Sequence, residues 1–451
     1  MKRAARPAVV IPFLLCFSAV AWGGADDAPS LKELTKDLRE AVAAGRLTRA
    51  TDLAGQIGQL GTPAAVDALV QYGINCGMYD LEKSVGGILV GLQGDDSLAR
   101  IAHHANKNNA FEVRVFLTLV LAKRPETEAF AAVLKNLYDP FVSVTLTAIE
   151  ATVERGQVAA VDHLVAALEF QEKRGGGGDP LIKFELRKAL TTFTAEDFEV
   201  ADDWRNFWEP RKKNFVRPDG SNRKDALTGV VRKGPKFFEI EVVDAKVLFL
   251  LDISGSMDKR DPLPEEQGDP EGGAKSGGTG VDKKEKEKGK KEGGDEPGEI
   301  PESRRRLTRV QKELSRVISE LPPATEFEII TFNHEVKEFK GKLVSATDGM
   351  KQEAIRYVTS LQPAGETHTD EALEKAFNVP SVTSIFLLSD GAPRRNDTLL
   401  DVKPILERVR ELNRYRRVFL HTVGFEQAGS NLRKFMQQLA KQNRGVYKAL
   451  R

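Results

Sequence analysis

Cysteine is nearly absent from this 451-residue chain, which has only 2. Cys16 lies in an N-terminal stretch that reads as a removable leader, so Cys76 would remain alone; an internal disulfide and a cysteine-ligated metal site are both excluded. Histidine is scarce too, with 6, and no recognisable site forms from them. His103 and His104 are neighbours that a helix points in different directions, and His334-Glu335 lacks the second histidine of a zinc-protease motif. Net charge is almost nil: Lys+Arg at 67 against Asp+Glu at 66 leaves +1, too little for a global field that draws in nucleic acid or anionic lipid. No phosphate-binding loop is present, since Gly175 to Gly178 follows a helix and precedes Pro180, the pattern of a linker. Beyond the N-terminus no apolar run is long enough to span a bilayer.

What is present suffices for folded cores. With 41% hydrophobic and 29% charged residues the chain can bury apolar surface, and its length is about two to three times that of one domain, so two folded parts are expected. Met1 to Arg6 carries Lys2, Arg3 and Arg6, Ala8 to Val20 is apolar, and Ala21 to Ala25 supplies small residues for cleavage after Gly23 or Ala25. This is the pattern of a cleaved signal peptide over residues 1–25. It implies a secreted, periplasmic or cell-envelope protein with no transmembrane segment in the mature chain.

From residue 30 to 193 the chain reads as successive helices with short polar or glycine breaks and no alternating strand pattern. Val142, Leu146, Ile149 and Val153 recur at helical spacing, as do Val161, Leu164, Val165 and Leu168. Each such helix has a stripe that only a neighbour can cover, and the segment resembles a HEAT-type helical repeat array, with Asp139-Pro140 and Gly61-Thr62-Pro63 as inter-helix turns. Residues 194–228 read as an aromatic closing helix and a linker: Trp204, Phe207 and Trp208 share one helix face, as a lid on the last repeat rather than a docking patch.

From residue 229 to 451 the periodicity changes. Phe237 to Val243 reads as an edge strand, Lys246 to Asp252 (KVLFLLD) as a parallel strand buried on both faces, and helices then alternate with strands such as Phe327 to Phe332 and Ser384 to Asp390. The expectation is a multidomain chain: an all-α N-terminal repeat followed by a doubly wound, Rossmann-like α/β domain. Residues 258–302 interrupt the pattern with Gly, Pro, Lys and Glu, including DKKEKEKGKKE, and read as a disordered insertion in a surface loop.

Ligands of such sheets bind at the carboxyl ends of the strands. There the sequence sets Asp252-Ile253-Ser254-Gly255-Ser256 after one strand, Gly365-Glu366-Thr367 after a helix, and Asp390-Gly391 at the end of another strand. Two carboxylates and three hydroxyls offer only oxygen, a donor set for Mg²⁺ first and Mn²⁺ or Ca²⁺ as alternatives. The serines have no obvious base, so nucleophilic catalysis is not expected and the protein does not read as an enzyme.

These residues resemble the metal ion-dependent adhesion site (MIDAS) of von Willebrand factor type A (VWA) domains, over about Phe237 to Arg451 without the insertion. The resemblance implies ion contact by the hydroxyls of Ser254, Ser256 and Thr367, and direct or water-mediated contact by Asp252 and Asp390. Gly255, Gly391, Glu366 and His368 would stand beside them. One coordination position would remain for an Asp or Glu of a partner protein. Glu366 stands where the family usually has glycine, and would crowd the ion or add a carboxylate to it. The insertion starts at the rim of the site; its acidic residues Glu265, Glu266, Asp269 and Glu271 would act as an internal pseudo-ligand, unless the segment is a solvated spacer. The expected function is that of an exported, metal-dependent protein-binding scaffold or adhesion factor, with a second protein partner on the helical array. Alternatives are an accessory subunit of a chelatase-like ATPase complex, and a hydrolase using the ion with Glu366 or His368 as base.

Overall fold

The computed structural model describes residues 29–218, 234–262, 300–396, 398–426 and 429–451. The expected signal peptide and residues 263–299 of the expected insertion lie outside them, Glu265, Glu266, Asp269 and Glu271 included. The chain divides into two compact units, residues 1–97 and 98–451. In the first, the described part is helical: α1 (Leu31–Ala43), α2 (Leu47–Gln59), α3 (Pro63–Gly73) and α4 (Tyr79–Gly91). Local chemistry sets their starts. Ser30 Oγ accepts the Glu33 N–H at 3.3 Å while Glu33 Oε2 accepts the Ser30 N–H at 2.9 Å, a reciprocal cap on α1. Thr62 caps α3 just ahead of Pro63, a residue with no N–H to satisfy in the first turn. Leu34, Leu38 and Ala41 of α1 and Leu53, Ala54 and Ile57 of α2 are buried, the stripes that neither helix could hide alone.

Helices also open the second unit: α5 (Asp95–Lys107, its first residues still in the first unit), α6 (Phe111–Ala122), α7 (Thr127–Lys135), α8 (Val142–Arg155), α9 (Ala160–Lys173), α10 (Pro180–Thr194) and α11 (Ala201–Trp208). Trp204 and Trp208 of α11 are buried, their indole N–H groups donating to Phe198 O at 3.1 Å and Asp162 Oδ1 at 2.9 Å. The N-terminal region is therefore all-helical.

The segment expected as one edge strand from Phe237 to Val243 is instead a two-stranded antiparallel hairpin, β1 (Lys236–Phe237) and β2 (Ile240–Glu241), outside the main sheet. Phe238 and Glu239 at its turn have φ of 46° and 67°, a left-handed pair that reverses the chain after two residues and ends the strand. The main sheet holds β3 (Lys246–Asp252), β4 (Glu326–Phe332), β5 (Val336–Glu338), β6 (Val344–Ser345), β7 (Ser384–Ser389), β10 (Phe419–Phe425) and β11 (Tyr447–Leu450). A small hairpin of β8 (Arg394–Arg395) and β9 (Thr398–Leu399) stands apart. The parallel strands lie in the order β11-β10-β7-β3-β4, and β5 and β6 pair antiparallel with β4.

Alternation along β3 feeds two cores, which is why its sequence shows a continuous apolar run. Val247, Phe249 and Leu251 face Leu307, Val310, Leu314 and Val317 of α12 (Arg306–Glu320) and Ala354 and Val358 of α13 (Asp348–Ser360). Leu248 and Leu250 face α14 (Thr369–Asn378), α15 (Val402–Asn413) and α16 (Ser430–Gln442) through Leu373, Leu406 and Phe435. The C-terminal region is thus a three-layer α/β fold.

The helices of the second unit grip one end of this sheet. Leu146 of α8 and Leu181 of α10 pack with Phe419, Ser143 Oγ donates to Arg416 O at 2.7 Å, and Glu150 takes both Arg417 and Arg444. Burial, and then the charge of Arg444, pull Arg417 down to about 9, so Glu150 offsets two guanidiniums that have largely left water. Glu150→Ala is expected to destabilise the protein by about 2–3 kcal/mol in a urea unfolding curve. A change below about 0.5 kcal/mol would reduce the pair to surface decoration.

Candidate metal centre

The chain passes from β3 to β4 on one side and returns to β7 on the other, so the carboxyl ends of β3 and β7 flank a switch point where the loops part. Asp252 ends β3 and Asp390 follows β7. Both are buried, as are Ser254 and Thr367. Asp252 is pinned by both oxygens: Oδ1 accepts the Ser254 N–H at 2.8 Å and Oδ2 accepts the Ser389 hydroxyl at 2.5 Å. Ser254 Oγ lies 3.1 Å from Ser256 Oγ, and Ser256 Oγ donates to Asp390 Oδ1 at 2.6 Å. A run of oxygens therefore links the Asp252 loop to the Asp390 loop.

Thr367 completes the group from a third segment. Gly255 N–H donates to Gly365 O at 3.0 Å, binding the serine loop to the Thr367 loop, and Arg394 N–H donates to Thr367 O at 3.0 Å. Gly365 has φ of +76°, and a side chain there would collide with the His334 ring, so glycine is required twice over. A β-carbon on Gly391 would lie 2.9 Å from Thr367 Oγ1 and 3.4 Å from Ser256 Oγ. The missing side chain leaves a cradle between these two hydroxyls.

Glu366 and His368 stand beside this group and pair with each other, His368 Nε2 lying 3.3 Å from Glu366 Oε2, which also accepts the Asn396 N–H at 3.0 Å. All five expected oxygen-bearing side chains are thus in one place. Two residues that the sequence reading passed over hold them there. Ser389 fixes Asp252, and Arg306, at the first position of α12, donates to Asp390 Oδ2 at 2.5 Å and to Asp261 Oδ1 at 2.8 Å. Arg309 takes Asp261 Oδ2 at 2.5 Å. Burial opposes the charge of Arg306, but its hydrogen bonds to Asp390 and Asp261 outweigh burial and hold it above its ordinary value. A signal was present. Arg304, Arg305 and Arg306 stand at a helix N-terminus, where the macrodipole disfavours cations, so acidic partners are required nearby.

Burial, and then the charge of Asp390, push the Asp252 carboxyl up to about 7 despite its hydrogen bonds from Ser254 and Ser389. Two buried carboxylates, with Asp252 costly to ionise, three hydroxyls and the cradle at Gly391 fit a hard cation, which would offset the cost of charge. Among the described residues no three His, Cys, Asp or Glu side chains gather to bind a metal, so the donor set here is two carboxylates with neutral hydroxyls. Gly391→Ala puts a methyl group into the cradle. Calorimetric Mg²⁺ affinity is expected to fall at least tenfold, about 1.4 kcal/mol, beyond whatever stability the cation-free protein loses as Thr367 gives way to the methyl group. Unaltered affinity would mean that the cradle holds nothing.

A family model for the von Willebrand factor type A domain matches residues 301–449. The C-terminal region is a von Willebrand factor type A domain. The matched stretch begins beyond β3, so Thr367 and Asp390 lie inside it and Asp252, Ser254 and Ser256 before it. The chain is similar to von Willebrand factor A domain-containing protein 3A of Homo sapiens, 31% identical over 121 residues, 27% of this chain and 10% of that protein. It is similar also to inter-alpha-trypsin inhibitor heavy chain H2 of Mus musculus, 29% identical over 146 residues, 30% of this chain and 15% of the relative. A solved von Willebrand factor type A protein from Catenulispora acidiphila overlaps 46% of this chain and 38% of its own, at 16% identity and a TM-score of 0.32. The chain spans only 10% and 15% of the lengths of these two curated relatives, so the likeness is to a part of each and not to whole proteins.

Proposed function

We propose that the type A domain is a cation-dependent protein-binding module. Asp252, Ser254, Ser256, Thr367 and Asp390 would hold a divalent ion, Mg²⁺ first. The observation that carries this reading is the hydrogen-bonded chain from Asp252 through the Ser254 N–H, then Ser254 Oγ and Ser256 Oγ, to Asp390, with Thr367 across the Gly391 cradle. When bound, the ion supplies a positive charge with a coordination position free for an Asp or Glu carboxylate of a partner protein. The chain's own residues hold the donors: Ser389 orients Asp252, while Arg306 supplies the counter-charge of Asp390 and ties it to Asp261, where the expected insertion leaves the domain. No catalytic role is assigned to Ser254 or Ser256, and the helical region would offer a second protein-binding surface.

Residues 1–25 carry the export reading, and with it a secreted or envelope location. Among the described residues no helix is long and apolar enough to cross a membrane. The test is capture from an envelope extract with wild type and Asp252→Ala, each in Mg²⁺ and in EDTA. A partner should appear only with wild type in Mg²⁺. Identical catches in all four lanes would remove the cation from the mechanism and leave binding to the helical region.

A further inference from the structure

Away from the metal centre, at the amino ends of the strands, the seam between α10 and the sheet holds two adjoining cavities that open to solvent. The inner one, about 230 Å³, is walled by Leu181 and Lys188 of α10 and by Asp244, Ser384 and His421 of the sheet region. The outer one, about 720 Å³, shares Phe184, Val243 and Asp244 with it, so Asp244 stands between the two. Asp244 is only 5% exposed and Ser384 is fully buried, and among the described residues neither Asp244 Oδ1 nor Ser384 Oγ has a hydrogen-bond partner. On the same wall Lys188 Nζ lies 3.2 Å from Glu185 and Glu150 takes Arg444, while Glu241 adds a further carboxylate to the lining. Burial, with Asp179 and Glu185 adding like charge, holds the Asp244 carboxyl well above its ordinary range.

An unpartnered buried acceptor costs about 1–3 kcal/mol, so something is expected to satisfy it. The wall is only partly polar, with Leu181, Phe184, Ile240 and Val243 beside Asp244 and Ser384, so a ligand that fills it needs an apolar part as well as a charged one. It suits a donor-rich cation carried on an apolar stem: the carboxylate and hydroxyl for the head, Leu181, Val243 and Phe184 for the stem. The volumes agree. The inner cavity is smaller than the roughly 300–1,000 Å³ of a drug-sized pocket, while the outer one lies within that range.

We propose that this seam is a second binding site, in which Asp244 and Ser384 receive the ammonium head of an alkylamine while the rest of the ligand occupies the outer cavity. The ammonium would belong either to a free diamine or to a lysine side chain of a peptide; the chemistry is shared. The full chain is titrated calorimetrically in EDTA with n-butylammonium, cadaverine, Gly-Lys-Gly and, as neutral control, 1-pentanol. The ammonium probes are expected to bind, pentanol at least tenfold more weakly, and Asp244→Asn to weaken the ammonium probes at least tenfold. Gly-Lys-Gly above cadaverine assigns the site to peptides, and the reverse assigns it to free amines. Absence of ammonium binding, equal binding of pentanol, or undiminished binding by Asp244→Asn overturns the proposal. If that variant fails to fold, the comparison of butylammonium with pentanol on wild type decides alone. Binding that persists in Asp252→Ala separates this site from the cation centre.

Discussion

Asp252→Asn is expected to stabilise the cation-free protein at pH 8 by about 4 kcal/mol while abolishing Mg²⁺ binding. The two effects have one cause. Asp252 is fully buried, and burial with the Asp390 charge lifts its carboxyl to about 7, some three units above an ordinary aspartate. Between about pH 4 and pH 7 the unfolded chain has lost a proton that the folded protein keeps, so the folded state loses stability as pH rises through that window and the loss levels off above 7. An amide carries no such charge, accepts from Ser254 through its oxygen, and removes the slope. His421, held down to about 4 by burial and then by Lys188, contributes a slope of opposite sign between about pH 4 and 6.5. The measurement is therefore the difference between wild-type and variant stability in EDTA from pH 4 to 8. Saturating Mg²⁺ should narrow that gap, because only wild type gains from the ion. A flat difference, or a variant that still takes up Mg²⁺, would show that Asp252 is not the charge at the centre.

Much of this was legible in the chain. KVLFLLD at Lys246 to Asp252 and SIFLLS at Ser384 to Ser389 are apolar because each strand feeds a core on both sides, and such runs with polar residues at their carboxyl ends point to the site directly. Thr367 is reached through the resemblance of Gly365-Glu366-Thr367 to the type A pattern; the left-handed φ of Gly365 and the cradle at Gly391 are visible only in the structure. What escaped was pairing between distant side chains. Arg306 and Asp390 are 84 positions apart; the arginine run at the helix start calls for an acidic partner but does not say which one. The grip of α8 and α10 on β10 escaped for the same reason: Leu146, Leu181 and Phe419 look like ordinary members of their own apolar stripes. The hairpin at Lys236 to Glu241 was misread because alternation alone cannot show that Phe238 and Glu239 adopt positive φ.

Replacing Arg306 by glutamine is expected to destabilise the cation-free protein by about 3–5 kcal/mol and, against that loss, to strengthen its response to Mg²⁺. Asp390 would keep Ser256 as its donor but lose its counter-charge, and Asp261 would keep Arg309 alone. Removing one partner of a buried pair is costly because the remaining charge stays out of water. Arg306 is 5% exposed and its guanidinium also lies 5.0 Å from the centre of the Phe425 ring, so no side chain of similar length replaces all its contacts. The same positive charge repels a divalent ion sharing Asp390. In Arg306→Gln that repulsion is gone and a carboxylate is left in need of a cation. Saturating Mg²⁺ should therefore raise the thermal midpoint of the variant by more than it raises that of wild type, and its calorimetric affinity should be several-fold tighter. Weaker affinity would assign Arg306 a different role, aiming Asp390 at the ion, and would make the Asp261–Arg306–Asp390 chain the link through which the base of the insertion supports the centre rather than restrains it.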